Sequence, residues 1–111
     1  MIDSVAMGNL LFKGKVSRSD TIVYKDHMDT RWWIKSRNCI NIEDLDSVFA
    51  ANPKAVAVGL GFKMPITISD AAVEEMKTRG IEVFVGKTDE AVKFFNDNED
   101  QKTTVGIFHL I

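Results

Sequence analysis

The sequence predicts an α/β fold, and three successive stretches within residues 55–86 carry that prediction. Ala55-Val56-Ala57-Val58-Gly59 is short, apolar and β-branched at alternate positions, which is the pattern of a strand covered on both faces. Residues 70–79 read as a helix. Ser69 supplies its cap, Asp70 and Glu74 lie near the positive end, Lys77 and Arg79 occupy the last turn, and Gly80 stops it. Residues 81–85 are apolar again, and a crossover of this length through a helix makes the two strands parallel and the connection right-handed. Val56 and Val58 are therefore expected in the core beside Ile81, Val83 and Val85.

The first third of the chain reads as mostly β. Leu10-Leu11-Phe12 is followed by Lys13-Gly14-Lys15, a hairpin tip in which Gly14 takes positive φ at little cost, and residues 21–24 are the expected returning strand. Ser17-Arg18-Ser19-Asp20 is polar and reads as a loop. Arg31-Trp32-Trp33-Ile34-Lys35, rich in large β-formers between two polar stretches, is expected to be a strand. Asn41 then caps a helix with Glu43, Asp44 and Asp46 at its positive end, Ile40 stapled onto Leu45, and Leu45, Val48 and Phe49 as its apolar stripe. Asn52-Pro53 ends it, because the residue before proline is pushed out of the α region. After the central unit, Thr88 caps a third helix that buries Val92 and Phe95, with Ala91 or Phe94 beside them. Residues 96–102 carry amides and acids and read as a solvent loop, and residues 103–111 alternate well enough for a last strand.

At 111 residues the chain fits one domain, 1–111, with no linker or internal repeat to divide it. Hydrophobic residues at 45% and charged residues at 27% argue against disorder and against a fibrous repeat. Cys39 is the only cysteine, so no intramolecular disulfide forms. Residues 1–16 show neither a basic leader nor an apolar run long enough to span a membrane, and a soluble cytoplasmic protein is expected. Net charge is −2 but uneven: residues 1–38 hold seven basic and four acidic side chains, residues 39–111 seven basic and twelve acidic. Such a difference can orient a partner, although a slightly acidic chain without one dense basic run is not a nucleic-acid binder.

Two places invite a functional reading. Gly59-Leu60-Gly61 directly after a strand is the kind of loop whose N–H groups approach a phosphate or carboxylate. The dinucleotide fingerprint is incomplete, since Met64 stands where a third glycine is needed, Pro65-Ile66-Thr67-Ile68 delays the helix, and no Lys-Ser/Thr pair completes a P-loop. The plainer account of the glycines is a tight turn that brings strand and helix close. Trp32 and Trp33 would point to opposite faces of a strand, one into the core and one outward. Flanked by Arg31, Lys35 and Arg37, an exposed indole suits an anchor in a protein interface, with packing as the simpler account. His27 with Asp26 and Asp29, His109 on the last strand, and Cys39 are too few for a zinc or iron site, so no metal and no cofactor are expected. Cys39 reads as a small buried hydrophobe rather than a nucleophile.

These motifs, in this order, resemble the Mth nine-three-eight-like domain family, small α/β proteins of largely unassigned function. The resemblance runs from about Gly8 to the C-terminal end. It rests on Arg31-Trp32-Trp33, residues 42–45, Ala57-Val58-Gly59-Leu60-Gly61 where the family usually has a Gly-Thr-Gly turn, Gly80-Ile81-Glu82-Val83, Thr88, Glu90-Ala91-Val92, Asn96 and His109-Leu110. Leu60 replaces the usual threonine, Met64 a frequent glycine, and the ending lacks the familiar Thr-Cys. The resemblance implies three layers: a small central, mostly parallel sheet, helices on one side and a β-rich N-terminal part on the other. Relatives linked to adipogenesis and, more distantly, to assembly of a mitochondrial respiratory complex imply protein contacts rather than catalysis. The expected function is a non-enzymatic protein-binding or assembly module using Gly59, Leu60, Gly61, Arg31, Trp32 and Trp33. The alternative is a small-molecule or anion-binding protein or enzyme at the glycine loop.

Overall fold

The computed structural model describes residues 1–111. The N-terminal part is an antiparallel meander of β1 (Ile2–Ala6), β2 (Asn9–Phe12) and β3 (Lys15–Ser17). Its second turn closes on two residues with Phe12 opposite Lys15, and both take positive φ, 51° at Lys13 and 77° at Gly14. That backbone matches the twist of the flanking strands, so the hairpin tip lies where the sequence places it. The returning strand is β3, however. Residues 21–23 form β4 (Thr21–Val23), which leaves the meander for the central sheet, and β1 is a strand that the sequence reading left unassigned.

The central sheet runs in the order β5 (Met28–Asp29), β4, β10 (Thr104–Phe108), β7 (Ala55–Gly59), β9 (Glu82–Gly86). β10, β7 and β9 are parallel, whereas β4 and β5 join antiparallel, so the sheet is mixed rather than mostly parallel. Every residue of β7 and β10 is buried, as expected of strands covered on both faces. The unit from β7 through α2 (Asp70–Thr78) to β9 follows the expected course. Ser69 Oγ accepts from the Ala72 N–H at 3.1 Å and Gly80 leaves the helix at φ 78°. Val83, which is half-buried, and Val85, which is 38% exposed, correct the expectation of burial, because β9 is an edge strand.

One face of the sheet offers Ile22, Val56, Val58, Val105 and Ile107 to Leu45, Val48, Ala72 and Met76. The other offers Val23, Ala57 and Phe108 to Ala91, Val92 and Phe95 of α3 (Thr88–Asn98) and to Ile2, Leu10 and Phe12 of the meander. The chain is thus α/β, but the helices are not confined to one side: α3 shares its face with the β-rich N-terminal part. α3 also runs further than expected, through part of the anticipated solvent loop. Its Asn96 side chain brackets the backbone of Ile2, accepting from the N–H at 2.8 Å and donating to the carbonyl at 3.0 Å. Thr88 is the first helical residue and Lys87 the cap position.

The region 30–50 departs most from its sequence reading. Residues 31–35 form no strand. Instead one buried carboxylate replaces the ladder: Asp44 accepts from the Lys35 N–H at 3.0 Å and the Asn41 N–H at 2.8 Å, while its carbonyl accepts from the Trp32 indole at 3.1 Å. The expected helix is a 3-10 turn (Ile42–Asp44) running into a short α1 (Asp46–Ala50), and it ends where Asn52 takes φ 50° ahead of Pro53. A short parallel pair, β6 (Cys39–Ile40) with β8 (Thr67–Ile68), ties this region to the stretch before α2.

Candidate functional site

The glycine loop leaves the C-terminal end of β7 and is closed from every side. The Leu60 N–H donates to the Gly86 carbonyl at 2.9 Å, and the Leu60 carbonyl accepts from Ile66 N–H at 2.9 Å. The Gly61 N–H donates to Thr88 Oγ1 at 2.9 Å, and that hydroxyl donates in turn to the His109 carbonyl at 2.6 Å. A Cβ on Gly59 would lie 2.8 Å from Thr88 Cα, and one on Gly61, at φ 121°, would lie 2.7 Å from the His109 ring. The glycines are therefore needed for contact between β7, α3 and β10. The N–H groups of Leu60 and Gly61 are spent inside the protein.

His109 completes the closure. Nδ1 lies 2.7 Å from Asp20 Oδ2 and Nε2 lies 2.8 Å from the Met64 carbonyl, while Asp20 Oδ1 accepts from the Leu110 N–H at 3.1 Å. A carbonyl only accepts, so Nε2 is the donor to Met64, and Nδ1 is engaged by the Asp20 carboxyl. Both ring nitrogens are thus engaged by groups of the protein itself. His27, the other histidine, pairs with Asp26 at 2.7 Å and stacks on Tyr24 at 4.6 Å between ring centres. That hydrogen bond holds the fully exposed Asp26 carboxyl below its usual value of 3.8.

The tryptophans do diverge, though not through strand alternation. Trp32 is 9% exposed, pinned by its indole N–H to Asp44, whereas Trp33 is 83% exposed. Arg31 is exposed, its backbone N–H held by Asp29 at 3.0 Å. Beside them lies an open groove of about 500 Å³ at the C-terminal ends of β7 and β10. Its apolar wall is Ile34, Met64, Pro65, Ile66 and Ile111, and Arg37 stands on its rim. Met64 is 68% exposed. The groove joins the two sequence regions through Ile34, next to Trp33, and residues 64–66, just past Gly61. The six candidate residues themselves do not line it: Gly59, Gly61 and Trp32 are buried, and Leu60 is half-buried against the core. Asp20, Asp44 and Thr88 organise the site and were missed in the sequence, because an isolated acid or threonine carries no periodic signal.

The fold is also seen in solved structures of low sequence identity. A conserved hypothetical protein from Pyrococcus horikoshii superposes with a TM-score of 0.85 at 19% identity, over 99% of this chain and 98% of that one. A protein named MT938 gives 0.78 at 19% identity, over 99% and 96% of the two chains. An NMR structure from Xanthomonas campestris gives 0.74 at 15% identity, over 99% and 83%. No curated protein matches the chain. A family model described as "Protein of unknown function (DUF498/DUF598)" matches residues 2–109.

Proposed function

The chain therefore belongs to the DUF498/DUF598 family, consistent with its resemblance to the Mth nine-three-eight-like proteins, and on that premise we propose that it is a non-enzymatic protein-binding or assembly module. Residues 1–111 act as one unit in the cytoplasm, with Trp33 as the anchor and the adjoining groove as the seat of a protein partner. No helix is long and apolar enough to cross a membrane.

The observation that carries this reading is Trp33, held out at 83% exposure in a region where the backbone N–H groups of Lys35, Leu60 and Gly61 are already satisfied internally. A catalytic or small-molecule site needs convergent polar groups free to orient a substrate, and buried side-chain polar atoms here all have partners. An exposed indole beside an open apolar groove suits a protein surface, where aromatic residues dominate binding energy. The rival reading, a small-molecule or anion site at Gly59-Leu60-Gly61, draws on the place of the groove at the C-terminal ends of parallel strands. It is weakened by the prior use of the Leu60 and Gly61 N–H groups.

The test is affinity capture from native lysate on immobilised wild-type protein and on Trp33→Ala, with bound proteins and metabolites identified together. A protein retained by the wild type and lost by the variant is the expected result. A metabolite retained equally by both, with no protein that depends on Trp33, would sink the proposal.

A further inference from the structure

The two segments that frame the groove are both basic, in a chain whose net charge is −2. Residues 30–42 contain Arg31, Lys35 and Arg37 and no acid, and residues 59–69 contain Lys63 and no acid. None of these four cations forms an ion pair; the salt bridges of the protein involve other residues. One acid, Asp20, lines the groove, and its carboxylate oxygens are engaged within the protein. Asp20 is held by His109 and the Leu110 N–H, and Asp44 is buried against the Lys35 and Asn41 N–H groups. Arg37 therefore stands without an ion pair on the rim, Lys35 and Lys63 are exposed on the segments that frame the groove, and exposed Trp33 directly precedes Ile34 of its apolar wall. The twelve acids of residues 39–111 all fall outside 39–42 and 59–69, so Lys35, Arg37 and Lys63 outnumber the one lining acid, Asp20, in a chain that is acidic as a whole.

We propose that the groove receives an acidic segment of a protein partner, one in which apolar or aromatic side chains alternate with Asp and Glu. The inference rests on the protein-binding reading above and names the chemistry of the partner. Apolar side chains of the segment lie against Ile34, Met64 and Ile66, and its carboxylates meet Arg37 on the rim and exposed Lys35 and Lys63 on the flanking segments. Arg37 has a planar fork suited to bidentate contact with a carboxylate. Solvent exposure keeps each ion pair weak, so the apolar wall and Trp33 supply most of the affinity while the charges select sign and speed encounter. A polyanionic nucleic acid is disfavoured, because four separated cations and one exposed indole face a molecule that is acidic elsewhere.

Trp33 is itself the reporter, since Trp32 is buried and senses solvent little. Four probes are titrated against tryptophan fluorescence: pooled dodecamers of Asp/Glu with Leu/Phe, of Lys/Arg with Leu/Phe, of Asp/Glu with Ser/Gly, and a single-stranded DNA oligomer. The acidic apolar pool should give a saturable change, weakened roughly tenfold or more by the double variant Lys35→Glu/Arg37→Glu at unchanged melting temperature. Equal or tighter binding of the basic pool or of DNA, or no binding of the acidic apolar pool, overturns the proposal. The same double variant in the lysate capture separates this failure from that of the broader reading. A partner lost with Trp33→Ala but kept by the charge reversal leaves a protein-binding module and removes the acidic segment. Loss in both variants supports the acidic segment, and retention in both removes both proposals.

Discussion

The loop after β7 and the segment around Trp33 lie side by side and are built on opposite plans. In the loop, a threonine hydroxyl and two carbonyls take up the N–H groups of Leu60, Gly61, Lys63 and Met64, the His109 ring donates to the Met64 carbonyl, and a single added Cβ would collide with that ring. In the segment, one buried aspartate holds the backbone while the side chains of Trp33, Lys35 and Arg37 are left to solvent. The loop shares glycines with a ligand cradle and has the structure of the tight joint that is their plainer reading. The segment has the sequence look of a strand and the structure of a presented surface. A motif marks a ligand site only if its donors remain unspent after folding.

The comparison can be broken most severely at the strand that feeds the joint. Val58→Asp places a carboxylate without a partner in a fully buried position, and a loss of about 4 kcal/mol or more is expected. Chemical denaturation measures it, and an unchanged midpoint would mean that β7 is not the centre of the core.

Thr88→Val probes the joint itself. It keeps the volume but leaves the Gly61 N–H and removes a donor from the His109 carbonyl, so a loss of about 2–3 kcal/mol should follow. Faster amide exchange at Gly61 is the local signature; protection equal to the wild type would show that the hydroxyl does not close the loop.

Trp33→Ala is the matching change on the open side. Stability should move by no more than about 0.5 kcal/mol, since little of the indole is buried, while partner capture is lost. A large fall in melting temperature would make Trp33 a packing residue and erase the contrast.

The smallest effect belongs to Asp26. Its carboxyl titrates below 3.8 because of the His27 hydrogen bond, so its contribution is present above that value and disappears as pH falls through the lowered one. Asp26→Asn should therefore make stability slightly less dependent on pH in that acid range, with almost no change at neutrality, because the pair is exposed. Carboxyl NMR titration of the wild type reads the shift directly, and a value at or above 3.8 contradicts it.

Much of the fold was legible because it is written in local terms. Alternating apolar β-branched residues at 55–59, the Ser69 cap, the Gly80 stop and the Lys13-Gly14 tip each act within a few residues, and each is found where its chemistry places it. The split between an inward and an outward tryptophan was legible too, but for the wrong reason. Strand alternation gave the right outcome while Asp44, twelve residues beyond Trp32, supplied the cause.

What the sequence by itself determined is the α/β class, the β7–α2–β9 crossover and the apolar residues that fill both faces of the sheet. Tertiary structure alone decided that β4 leaves the meander, that α3 shares a face with it, and that β9 is an edge. It also decided that the glycine loop is spent while the groove beside it stays open. The physical reason is one of range. Caps, turns and periodicity are fixed by neighbours along the chain, whereas the partners of Thr88 and Asp20, and the Lys35 N–H that Asp44 holds, arrive from residues 9 to 90 positions away. Whether a donor is free or used is settled only when those distant groups meet.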